Sequence, residues 1–198
     1  MNYSFVEIGS PNGLNLVAYA DNNTVGLSIQ PLQVHLDELP SRDSVVKIAA
    51  VVAEEGERRV ETLHYIPPAT VEENNLLHSF KTIVGLGEMH SQHTAHNVQS
   101  FVETSQVDVI PLAEIFETHE VEKIGCFYVH TGNGDEIKII TQLIPILNSW
   151  ETEEWPNIIR FGQTGVDSVS LNTCILSYEA LGYNVFKDSA DIEMFKQV

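Results

Sequence analysis

The chain has 198 residues, enough for one domain with a sizeable core, and its apolar fraction of 43% is that of a globular protein. Lys and Arg number 10 against 28 Asp and Glu, a net charge of −18; such a field repels phosphate backbones and anionic lipid surfaces, which argues against nucleic acid and membrane as partners. No apolar run is long enough to span a bilayer and no basic, then apolar leader is present, so a soluble, cytoplasmic protein is expected.

The first stretch, Phe5-Val6-Glu7-Ile8-Gly9-Ser10-Pro11-Asn12-Gly13, reads as a strand ending in an acid and a glycine turn. Gly9 and Gly13 let a ligand approach the backbone closely, and in an open α/β sheet ligands bind outside the carboxyl ends of the strands. Leu14 to Ala20 is apolar but short and is broken by Asp21-Asn22-Asn23, which predicts an abbreviated first helix. Val25 to Ile29 reads as a second strand ending at Gln30-Pro31, where a nucleotide-binding unit presents a side chain to a ribose. Leu32 to Leu39 reads as a short helix ended by Pro40, and Val45 to Val52 as a strand with Arg59 to Ile66 as its hairpin partner.

Thr70 to His96 is the least regular region. Thr70-Val71-Glu72-Glu73 fits a capping box, and Gly85-Leu86-Gly87 with the histidines after it reads as a loop. His90, His93 and His96 stand three apart, but on a helix steps of three drift by about 60° each, so they do not converge neatly on a metal; no metal is assigned.

Further on, Val107 to Ile110, Ile124 to Val129 and Asn157 to Phe161 read as strands, and Pro111 to His119, Asp135 to Leu147 and Ser168 to Leu181 as helices, the last stopped by Gly182. Tyr183 to Lys187 and Ile192 to Phe195 form a closing hairpin. The alternation implies an α/β fold with a mostly parallel sheet and one antiparallel edge. Cys126 and Cys174 lie in apolar runs and read as core thiols, and Trp150 and Trp155 as packing anchors about an acidic linker.

Glu7-Ile8-Gly9 with Gly13, then Gln30-Pro31, then Ile48-Ala49-Ala50-Val51, then His130-Thr131-Gly132-Asn133-Gly134-Asp135, resembles in order the motifs of the FkbM-like S-adenosylmethionine (SAM) dependent methyltransferases. The resemblance covers nearly the whole chain. It implies a single domain, 1–198, with a Rossmann-like methyltransferase fold: a mostly parallel seven-stranded sheet, helices on both faces and the antiparallel C-terminal hairpin. It implies S-adenosylmethionine as cofactor, held by Glu7, Gly9, Asn12, Gly13, Gln30 and Ala50, with small residues bordering the adenine. The implied reaction is methylation of a hydroxyl on a small molecule or sugar. The helices that many relatives carry upstream are not matched, so a minimal acceptor-binding portion, or one supplied by a partner, is expected; a homo-oligomer is a further expectation.

The chain departs from the family pattern in one direction: Gln30 stands for Glu, His130 for an acid, Gly132 for another, and Asn12 often for Asp. Gln30 still accepts a hydrogen bond through its carbonyl oxygen but lacks the charge. Neutral His130 can take the acceptor's proton at pH 7, with Asp135 to orient it; Asp135 equally suits a helix N-cap. Loss of charge at four such positions also fits a catalytically inactive methyltransferase-fold binding or assembly module.

Overall fold

Two apolar strands rich in β-branched residues lie side by side at the centre of the molecule: β1 (Asn2–Gly9) and β2 (Gly26–Gln30) pair in parallel, Glu7 opposite Ser28 and Ile8 opposite Ile29. β2 pairs in parallel with β3 (Val45–Val52), and β1 on its other side with β7 (Lys123–His130), which is followed by β8 (Ile158–Gly162). The computed structural model describes residues 1–9, 16–52, 56, 58–131, 135–163, 165–188 and 190–197.

Among the described residues there are ten strands in one sheet. The additional strands are β4 (Arg59–Tyr65), β5 (Val84–Leu86), β6 (Glu103–Ile110), β9 (Tyr183–Lys187) and β10 (Asp191–Lys196), and the order is β5-β4-β6-β3-β2-β1-β7-β8-β10-β9. β3 and β6 are parallel, β4 runs antiparallel between β6 and β5, and β9 and β10 form the antiparallel hairpin at the far edge. The α/β class, the largely parallel sheet and the closing hairpin are those expected.

Three expectations are corrected. Seven strands are too few for the observed sheet of ten, because β6, β4 and β5 extend it beyond β3. The β3–β4 hairpin does not form: β6 sits between the two, with Val51 opposite Val109 on one side and Glu61 opposite Val107 on the other. The alternation of residues 59–66 was a sound strand signal, but alternation cannot name the neighbour. The expected loop at Gly85-Leu86-Gly87 is a short edge strand followed by a turn at Gly87, whose φ is +73°.

The helices are α1 (Leu16–Tyr19), α2 (Gln33–Glu38), α3 (Pro68–Glu73), α4 (Ser91–Ala95), α5 (Leu112–Thr118), α6 (Glu136–Leu147) and α7 (Ser168–Ala180). No capping box forms at α3: Pro67 is the N-cap residue, Pro68 opens the first turn, and no side chain caps it. α7 is stopped by Gly182, with φ +92°, as its sequence suggests, and Asp167 Oδ1 caps its start by accepting from the N–H groups of Val169 and Ser170.

Strand alternation divides the core. Val6, Ile8, Leu27 and Ile29 point to the face covered by α5, α6 and α7, where Ile115, Ile140, Leu143 and Tyr178 complete one large cluster. Phe5 points the other way, into a smaller cluster with Val17 and Ala20 of the first helical segment and Val45. A satellite cluster of Ile66, Val71, Phe80 and Val98 holds the excursion between β4 and β6 together. Trp150 stacks on Phe116 and Trp155 on Tyr183, so both tryptophans anchor the 148–157 connection. Cys174 is buried, Cys126 half-buried, and both are free thiols. No helix among the described residues is long and apolar enough to cross a membrane.

Candidate functional site

The pleat places Glu7, Ser28 and Gln30 on one face of the sheet: Glu7 is opposite Ser28, and Gln30 lies two residues farther along the same strand. The next strand adds Tyr128 opposite Glu7 and His130 opposite Gly9. The carboxyl ends of β1, β2, β3 and β7 thereby open onto one cleft of about 640 Å³, within the usual range for a small-molecule site.

Gly9, Gln30, Ala50, His130 and Asp135 all line that cleft, so five of the expected site residues are brought together. Glu7 does not line it. Its carboxylate is fully buried beneath, where Oε2 accepts the Leu16 N–H at 2.6 Å and Oε1 accepts the Ser28 hydroxyl at 3.0 Å. Burial pushes its pKa up to about 7, only partly offset by these two hydrogen bonds. Glu7 thus ties the start of α1 back to the sheet. Asn12 and Gly13 of that turn, and Gly132 after β7, lie outside the described residues.

Gly9 has a structural reason to be glycine. Its φ is +68°, and a Cβ there would stand 2.3 Å from the carbonyl oxygen of His130. At the end of β7 the Thr131 N–H donates to Glu136 Oε1 at 2.9 Å. Glu136, in the first turn of α6, is almost completely buried. Gly162 leaves the space for both groups, since a Cβ there would be 3.3 Å from His130 Nδ1 and 3.5 Å from Glu136 Oε1. Asp135 occupies the N-cap position of α6 without a side-chain capping bond, and its Oδ1 receives Lys138 Nζ at 3.0 Å.

The opposite wall comes from Leu63 of β4, from Val84, Leu86, Met89 and His90 of the excursion between β4 and β6, and from His35 of α2. The histidine segment is therefore divided in its roles. His90 faces the cleft and its Nδ1 accepts the Gln92 N–H; His93 is fully buried with its pKa lowered by burial; His96 packs edge-on against Phe80. Among the described residues no three His, Cys, Asp or Glu side chains are grouped as a metal ion would require.

Two residues at or behind the cleft carry no signal in the sequence. Glu136 adjoins Asp135, and no local pattern distinguishes a buried carboxylate from an exposed one. His35 sits in a short amphipathic helix whose placement over the cleft depends on how the 78–91 segment folds. Comparison of the chain with family models, with curated proteins and with solved structures gives no match in any of the three.

Proposed function

We propose that the chain is a SAM-dependent methyltransferase of the FkbM-like kind that methylates a hydroxyl of a small molecule or sugar. The observation that carries this reading is the convergence of Gly9, Gln30, Ala50, His130 and Asp135 on one cleft at the strand ends. The run β3-β2-β1-β7-β8-β10-β9, a parallel block closed by an antiparallel hairpin, supports it. Its seven strands are as many as the family resemblance implies, and β6, β4 and β5 extend the sheet beyond β3.

The residues present suit the cofactor. Gly9 offers backbone without a side chain, Ala50 and Val52 offer a small apolar border, and the Gln30 carbonyl is an acceptor for a ribose hydroxyl. S-adenosylmethionine, when bound, supplies an electrophilic methyl group. The protein's own part is to place the acceptor and take its proton. His130 is the base, at the end of β7 on the cleft that Asp135 also lines. The cleft walls of Leu63, Val84, Leu86 and Met89 exclude water from the acceptor.

A neutral Gln30 where the family carries a carboxylate is what favours the second reading, a binding or assembly module without catalysis. Calorimetric titration with S-adenosylmethionine and S-adenosylhomocysteine decides first. Saturable binding of both is expected, abolished by filling the cleft at Gly9; no heat at about 1 mM ligand removes the cofactor from the account. Binding without methyl transfer to any hydroxyl acceptor selects the module.

A further inference from the structure

Part of the cleft's outer wall is residues 88–96, of which Glu88, Met89, His90 and Ser91 line the cleft. The segment runs between two left-handed residues, Gly87 with φ +73° and Asn97 with φ +56°. Its helix, α4, is five residues long, too short to be stable by itself. Among the described residues its backbone hydrogen bonds stay local. The His93 N–H donates to the His90 carbonyl, that of His96 to Gln92, and that of Val98 to His93. Side chains therefore hold the segment against the rest of the protein.

Imidazoles dominate that contact: five of the chain's eight histidines lie between residues 64 and 96. His93 is completely buried with its ring 6.0 Å from that of Phe80, and His96 packs edge-on against the same ring at 5.4 Å. Neither ring nitrogen of His93 makes a regular hydrogen bond to a described residue; the Ile83 carbonyl beside it is the one group that favours a proton. The titratable neighbours are His90, whose ring is 6.1 Å away, and His64 of β4, and a charge on either opposes one on His93. Lys81, next to Phe80 in the chain, pairs with Glu72. His90 serves α4 in its neutral form, as the N-cap residue whose Nδ1 accepts the Gln92 N–H at 3.2 Å. A protonated Nδ1 is a donor and cannot accept. The closed wall thus uses two uncharged imidazoles at once, one as a cap and one as an apolar plug.

We propose that residues 88–96 form an acid-released gate over the cleft, closed while His90 and His93 are neutral and freed when they take up protons. In the closed wall a charge on His93 is buried without a carboxylate to meet it; once the segment swings out, water solvates it. Burial lowers the His93 pKa below its ordinary 6.5, so protons bind the open state more tightly. The stabilisation that His93 gives the closed wall is full above pH 6.5 and is lost as pH falls below it. For this one residue the open population rises about tenfold per pH unit below 6.5, until the buried ring itself titrates. Loss of the His90 cap steepens the dependence. The gate works in this way whatever the cleft binds.

Amide exchange on the intact protein at pH 7 and pH 5, corrected for the intrinsic effect of pH on exchange, tests it. In the wild type, protection of the His93, His96 and Val98 amides is expected to fall at least tenfold between the two, while β1 and β2 stay protected. His93→Phe fills the site with a ring that does not titrate, and His93→Met does so with a more adaptable chain. Either should hold the change within about threefold. His90→Asn, which keeps a cap acceptor without the titration, should show a shallower fall than the wild type. A wild-type wall equally protected at both pH values would overturn the proposal, whether or not the variants fold. So would folded His93 variants that lose protection as steeply as the wild type.

Discussion

Gly9 and His130 face each other across the junction of β1 and β7, so closely that the His130 carbonyl occupies the place of any side chain on Gly9. Two demands meet at this one residue: a left-handed backbone and a contact with room only for hydrogen. Gly9→Ala is therefore expected to cost about 3 kcal/mol or more, from strain plus displacement of the His130–Thr131 backbone. Urea unfolding measures the loss, and on the proposed reading the same displacement should abolish S-adenosylmethionine binding in calorimetry. A variant as stable as wild type would show that the strand ends part without cost.

Glu7 gives the stability a distinctive dependence on pH. Its folded pKa, about 7, lies above the ordinary value of 4.5. The folded state therefore binds the proton more tightly, and the contribution of Glu7 is full below pH 4.5 and lost as pH rises to about 7. The shift corresponds to about 3 kcal/mol at most. Glu7→Gln removes the titration, so the wild type should lose stability relative to the variant between pH 5 and pH 8. Denaturant melts at those two pH values supply the comparison, and a constant difference would contradict the raised pKa.

Gln30 lines the cleft yet is 3% exposed, with no charge to offer a ribose. Gln30→Glu should tighten S-adenosylmethionine about tenfold, the effect of a charge-assisted hydrogen bond, while lowering the stability of the free protein by about 1–2 kcal/mol through carboxylate burial. Titration calorimetry reads the first and thermal melting the second. Unchanged affinity would place the ribose elsewhere.

His130 separates binding from turnover. On the proposed reading His130→Asn keeps a polar side chain at the strand end but removes the proposed base, so it should leave S-adenosylmethionine affinity within about threefold and reduce methyl transfer by about 100-fold or more. Equal rates in both proteins would assign the proton to another group.

Tyr178 tests how α7 is fastened. Its hydroxyl is completely buried and donates to the Ile140 carbonyl of α6. Tyr178→Phe should cost about 1 kcal/mol without altering the cleft, which a shift in denaturation midpoint at constant slope would report.

Local pattern made much of this protein legible. The apolar run at Val45–Val52 has the bounds expected of it, Gly182 ends α7 in the left-handed region, and the closing hairpin pairs as its spacing suggests. These features depend on backbone preference and side-chain alternation within a few residues, which composition carries directly. The glycine after Glu7 and the polar residue after β2 were legible for the same reason, since a strand that stops must stop somewhere along the chain.

Partnership was decided only in three dimensions. Residues 59–66 alternate correctly, yet their neighbour is β6, some forty residues away, because Leu63 and Val107 are buried in one apolar cluster with Leu32. Glu7 and Glu136 read as ordinary acids in the sequence; burial makes them structural carboxylates, one beneath the cleft and one behind its base. The excursion that builds the cleft's second wall held no regular signal, because its short elements are stabilised by contacts with Ile66 and Phe80 rather than by their own periodicity. Sequence determined which segments are strands and helices, through forces acting over a few residues; tertiary structure decided which of them touch, because burial and charge depend on every segment that packs alongside.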